Sequence, residues 1–138
     1  MSRHKLREQL FKLLFRVEYF DPEEIDEQAE LFLDSVEDLN DKDRAELKAK
    51  FEALVKVIAD IDEVIGRNAK DWNLKRLGKV DLALLRLAVY EMKYDDSVPV
   101  AVAINEAVDL AKTFGEEGSG SFINGVLAGV SGEIEANG

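Results

Sequence analysis

The sequence predicts an all-α protein, a bundle of six to seven helices in two halves (1–66 and 67–138), and three observations carry that expectation. Apolar residues recur at spacings of three and four in every segment, the period of a helix with one buried face. Helix-start and helix-stop residues divide the chain at short intervals: Asp21-Pro22, Asn40-Asp41, Asp95 to Pro99, Gly115 and the run Gly118 to Ser121. Finally, 46% of the 138 residues are hydrophobic and none is cysteine, so a single domain can bury a core without disulfide staples.

The first helix is expected over residues 3–20. Leu6, Leu10, Leu13, Leu14 and Val17 form its apolar stripe, with Lys5, Lys12 and Arg16 about opposite and Arg3 and Arg7 one turn apart near the free end. Asp21 can cap a second helix with Pro22 at its first position and two glutamates complementing the dipole. Its stripe is Ile25, Ala29, Phe32, Val36 and Leu39. From Asn40 a third, long helix carries Leu47, Phe51, Leu54, Ile58, Ile61 and Ile65, with Gly66 as its stop. A linking segment at 72–78 precedes a helix apolar on nearly all sides (80–94), which belongs in the middle of a bundle. Arg86 within it requires a carboxylate partner, because an unpaired buried charge is costly. The next helix buries Ile104, Ala107, Val108 and Ala111 and stops at Gly115. The last places Phe122, Val126, Val130 and Ile134 inward. Gly125 and Gly129 share a face of it, where a neighbouring helix or a nucleic acid comes close to the backbone.

Charge is unevenly distributed. The net charge is −11, yet residues 1–17 hold five Lys/Arg against one acid, a local +4. Residues 18–63 hold five against seventeen, a local −12. A basic end on an acidic body suits contact with a polyanion, although a solvated helix face has the same composition. Cations in a first helical turn oppose the macrodipole at about 0.3–1 kcal/mol each, so local stability does not account for them.

Catalytic chemistry is sparse. The one histidine, His4, lies in the basic arm, so no Ser-His-Asp set is in view. The stretch GEEGSGS lacks the Lys-Ser/Thr ending of a phosphate loop. No acidic run has the glycine and glutamate spacing of a calcium-binding EF-hand loop. A non-enzymatic protein without cofactor or metal is expected. With no apolar stretch of membrane-spanning length and no signal-like start, the expected location is the cytoplasm.

The stretches VDLALLRLAVYEM (80–92), VPVAVAINEAVDLAKTFG (98–115) and SFINGVL (121–127) resemble the signature of the NusB family, as does the basic opening SRHKLREQLFKLLF. The likeness spans the chain and is weakest over 21–70. It implies a two-lobed, NusB-like helical fold acting in transcription antitermination. Such proteins bind the boxA element of ribosomal RNA transcripts together with the ribosomal protein NusE, and so join RNA polymerase indirectly. Carried onto this chain, the RNA-binding residues are Arg3, His4, Lys5 and Arg7, with Phe122 to stack on a base and Asn124 to read an edge. For Phe122 core packing is the equal alternative, and for Asn124 a helix-terminal hydrogen bond. The NusE-facing candidates are Asp81, then Tyr90 and Glu91. Relatives often carry a denser arginine run at the start and Lys or Arg where Ser121 stands, so this chain's RNA site is short of positive charge. A helical adaptor or homodimer without direct RNA binding is the competing expectation.

Overall fold

The computed structural model describes residues 1–69 and 77–137; most of the expected linking segment, as far as residue 76, lies outside the described residues. These residues form seven α-helices and one 3-10 turn, with no strand among them. The helices are α1 (Arg3–Val17), α2 (Ile25–Ser35), α3 (Asp41–Lys56), α4 (Ile58–Asn68), α5 (Lys79–Tyr94), α6 (Val100–Phe114) and α7 (Ser119–Asn137). The chain divides into two compact units, Met1–Lys56 and Val57–Gly138.

In the first unit α1 packs on α2 and α3. Ser2 caps α1, its hydroxyl accepting the backbone N–H of Lys5 at 3.1 Å. The expected stripe is buried at Leu6, Leu10, Leu13 and Leu14, and Phe11 joins it. Opposite lie Ala29, Phe32 and Leu33 of α2 and Leu47, Phe51 and Leu54 of α3. Asp21 does not cap: its side chain makes no such bond, and Pro22–Glu24 forms a 3-10 turn before α2 begins. Asn40 does cap, its side-chain oxygen taking the N–H of Asp43 at 2.7 Å.

The long helix expected from Asn40 to Gly66 is two helices. Val57, at φ −112° and ψ 13°, leaves the helical region between them, and the unit boundary falls there rather than at residue 66. Gly66 is no stop, since α4 continues to Asn68. The apolar period runs unbroken through the joint, so the residues on either side read as one stripe. They serve different cores: Leu47, Phe51 and Leu54 face α1, whereas α4 packs on α5 and α7.

In the second unit α5 is central, touching α4, α6 and α7. Every residue from Leu82 to Val89 is buried, which accounts for its all-round apolar character. Arg86, 7% exposed, finds the expected carboxylate in Asp62 of α4, with Nε on Oδ1 and Nη2 on Oδ2 both at 2.8 Å. Leu110, Ile123, Val126, Leu127 and Val130 complete the core; Ile104, Val108, Phe122 and Ile134 are only half-buried.

The two glycines expected to mark a close approach divide. A Cβ at Gly129 would overlap the carboxamide of Asn68 on α4, which its own bond to the Val64 carbonyl (2.9 Å) holds in place. Beside it Arg67 grips Glu133 with two bonds of 3.0 and 3.2 Å, so the end of α4 is seated on α7. Gly125 has nothing within 4 Å of such a Cβ.

Candidate nucleic-acid interface

Arg3, His4, Lys5 and Arg7 occupy the first two turns of α1. Arg3 and Lys5 are exposed, while His4 and Arg7 are half-buried with neighbours of their own. Further along, Lys12 pairs with Glu8 at 3.3 Å, and the Arg16 guanidinium lies 5.0 Å from the centre of the Phe32 ring. Arg3 has a partner that sequence reasoning missed: both its terminal nitrogens bind the carboxylate of Glu46 on α3, one of them at 3.0 Å. The bond to Glu46 holds the arginine above its ordinary pKa, and Arg3 holds the glutamate below the usual carboxylate range. Nothing local in the sequence signals this pair, which joins residues 43 positions apart.

In the second unit Asp81, Phe122 and Asn124 fall around a tight turn, 114–119, whereas Tyr90 and Glu91 do not line it. Gly118 adopts φ +89°, a left-handed conformation that favours glycine. Gly115 is required by closeness instead: a Cβ there would lie 2.8 Å from the Ser119 side chain. Ser119 is buried, and its hydroxyl accepts the N–H of Glu116 at 3.0 Å while its own N–H reaches the Glu116 carbonyl at 3.0 Å. This turn is the common wall of two clefts. One, of about 470 Å³, is lined by Asp81, Lys79, Glu116, Glu117 and Phe122 among others. The second, of about 540 Å³, is lined by Lys112, Glu116, Glu117, Ser121 and Asn124 among others.

Phe122 and Asn124 therefore open onto different sides of the turn, and Phe122 shares its cleft with Asp81. The ionised side chains around both clefts are mainly acidic, which suits a cationic partner better than a phosphate chain. Asp81 also stands in the first turn of α5, where a carboxylate complements the helix dipole. Tyr90 is half-buried and stacks on Tyr94 with ring centres 5.6 Å apart; Tyr94 is exposed, with the Lys93 ammonium 5.9 Å from its ring. Glu91 is 1% exposed, which is a correction to its place among the partner-facing candidates: its carboxylate offers no outer surface.

The NusB family model matches residues 4–131, nearly the whole chain. This chain belongs to the NusB family. It is 47% identical over 128 residues to the transcription antitermination protein NusB of Agathobacter rectalis, covering 93% of this chain and 98% of the relative. Identity to the NusB of Lachnoclostridium phytofermentans is 43% over 130 residues, 94% and 98% of the two chains. Among solved structures the fold matches T. maritima NusB with a TM-score of 0.80 at 34% identity, over 93% of this chain and 89% of that one. A chain in the crystal structure of a plectonemic RNA supercoil matches with the same TM-score at 28% identity, over 96% and 98%. The NusB family is one of transcription antitermination factors and not of enzymes. No helix among the described residues is long and apolar enough to cross a membrane.

Proposed function

We propose that this NusB-family protein binds the single-stranded boxA element of ribosomal RNA operon transcripts through the start of α1 and docks NusE on the acidic end of its second unit. In this way it joins the antitermination complex on RNA polymerase in the cytoplasm. The observation that carries the reading is the placement of Arg3, His4, Lys5 and Arg7 in the first two turns of α1, on a chain of net charge −11. Local stability favours acids at that position, and none is present in the first turn. Phosphates supply the counter-charge in the complex, with Arg7 and Lys5 beside Arg3 as the cationic set.

For the protein partner, Asp81 and the glutamates of the 114–119 turn form an acidic cleft suited to a basic ribosomal protein, with Tyr90 and Tyr94 as an aromatic patch on the same unit. Phe122, half-buried in that cleft, supplies an apolar floor or a stacking surface, and exposed Asn124 supplies an edge-reading amide on the far side of the turn. A small cationic set implies weak RNA binding by the protein alone and useful affinity only with NusE.

Fluorescence anisotropy with labelled boxA RNA, with and without NusE and over a range of salt, tests this. Charge reversal of Arg3, Lys5 and Arg7 together is expected to abolish RNA binding while circular dichroism stays helical. Retained RNA binding in that variant would instead favour the adaptor or homodimer reading, in which the arm is only a solvated face.

A further inference from the structure

We propose that Glu46 is an internal competitor for RNA: by holding the guanidinium of Arg3 it masks one phosphate-binding cation of the α1 arm, and RNA must displace it. The inference rests on the RNA-binding role of α1 and adds an autoinhibitory contact to it. Three features of the first unit carry it. Glu46 engages both terminal nitrogens of Arg3, the fork geometry with which arginine also grips a phosphate, so the two acceptors exclude one another. The acid is not alone, because buried Asp43, one turn earlier on α3 and itself paired with the N-terminal ammonium at 3.1 Å, adds a small attraction to Arg3. Finally, the contact is a surface one. The Arg3 side chain is 70% exposed and that of Glu46 42%, so the pair is worth little and can be opened.

Magnitude decides what kind of device this is. An exposed ion pair contributes little in water, so the contact lowers affinity without closing the site. Opening is further eased by Lys50, which already attracts Glu46 from one turn along α3 in the favourable Glu-to-Lys orientation. Once RNA has taken Arg3, Glu46 retains a cation on its own helix. The arm is thus held at low affinity in the free protein, and a partner that adds RNA contacts overcomes the difference.

The test compares wild type, Glu46→Gln, Arg3→Gln and the double variant, using a labelled single-stranded RNA oligonucleotide carrying a boxA element. Glu46→Gln is expected to bind about two- to fivefold more tightly, the range an exposed pair allows. Its log K against log salt should steepen by up to about 0.7, one further phosphate contact. Arg3→Gln should bind more weakly, and the double variant should match Arg3→Gln. Glu46→Ala repeats the measurement with the acceptor removed, and circular dichroism verifies each fold. If Arg3→Gln weakens binding while Glu46→Gln leaves it unchanged or lower, the RNA role of α1 stands and the competitor is overturned. If Glu46→Gln tightens binding equally without Arg3, the effect is bulk charge, and the proposal is again overturned. An Arg3→Gln variant that binds as well as wild type removes Arg3 from the RNA site and overturns the competitor, while the triple charge reversal of Arg3, Lys5 and Arg7 separately decides the RNA role of α1.

Discussion

A guanidinium taken out of water keeps its charge, so Arg86 is the residue whose surroundings are most constrained. Its partner Asp62 supplies two parallel bonds, and removing that carboxylate leaves a buried cation poorly compensated. Asp62→Ala is expected to destabilise the protein by about 3 kcal/mol in urea unfolding. Replacing both members, as in Asp62→Leu with Arg86→Met, should cost less than Asp62→Ala alone, because the buried guanidinium is removed together with its carboxylate. That Arg86 needed an acid was legible from its place in an apolar helix; that the acid is Asp62 was not, since many carboxylates were eligible. Arg3 and Glu46 differ in kind. Both are exposed, no burial rule demands a partner for either, and only the fold of the first unit brings them together.

Among the elements, α7 shows how identical residues play unlike parts. Gly125 and Gly132 sit in the helix with nothing within 4 Å of an added Cβ, whereas at Gly129 the Asn68 carboxamide fills that space. Gly125→Ala and Gly132→Ala should each stabilise by up to about 1 kcal/mol, the helix-propensity difference. At Gly129→Ala that gain should be lost or reversed, because Asn68 must leave its bond to Val64; thermal melts of the three variants check the contrast. The sequence identified the glycines as unusual but could not separate them, because the discriminating neighbour arrives from α4. The joint between α3 and α4 was hidden for a related reason. No proline or glycine stands at Val57, and the 4-3-4-3-4 period continues across it, so local rules see one helix.

On the scale of the molecule, acid should act on a scatter of exposed pairs within each unit. Lys48 and Arg44 hold Glu30 below the usual carboxylate range, as Arg3 does Glu46 and Arg67 does Glu133. A carboxylate with a depressed folded pKa contributes stability that is complete above its unfolded value, about 4.3, and is lost as pH falls through the folded one. The melting temperature should therefore change little between about pH 7 and 5 and decline below about 4. High salt should blunt the decline, because these pairs are exposed and screened; melts at low and high ionic strength check this. Helix class, the buried stripes of α1 and α5, the need to pair Arg86 and the basic arm were all readable from the chain. Each depends on residues within a few turns of one another, where period, capping and local charge act directly. Tertiary structure alone decided the break at Val57, the burial of Glu91, the separation of Phe122 from Asn124 around the 114–119 turn, and the capture of Arg3 by Glu46. Those depend on which distant helix supplies the neighbour, a choice made by packing whole faces together, and no spacing along the chain encodes it.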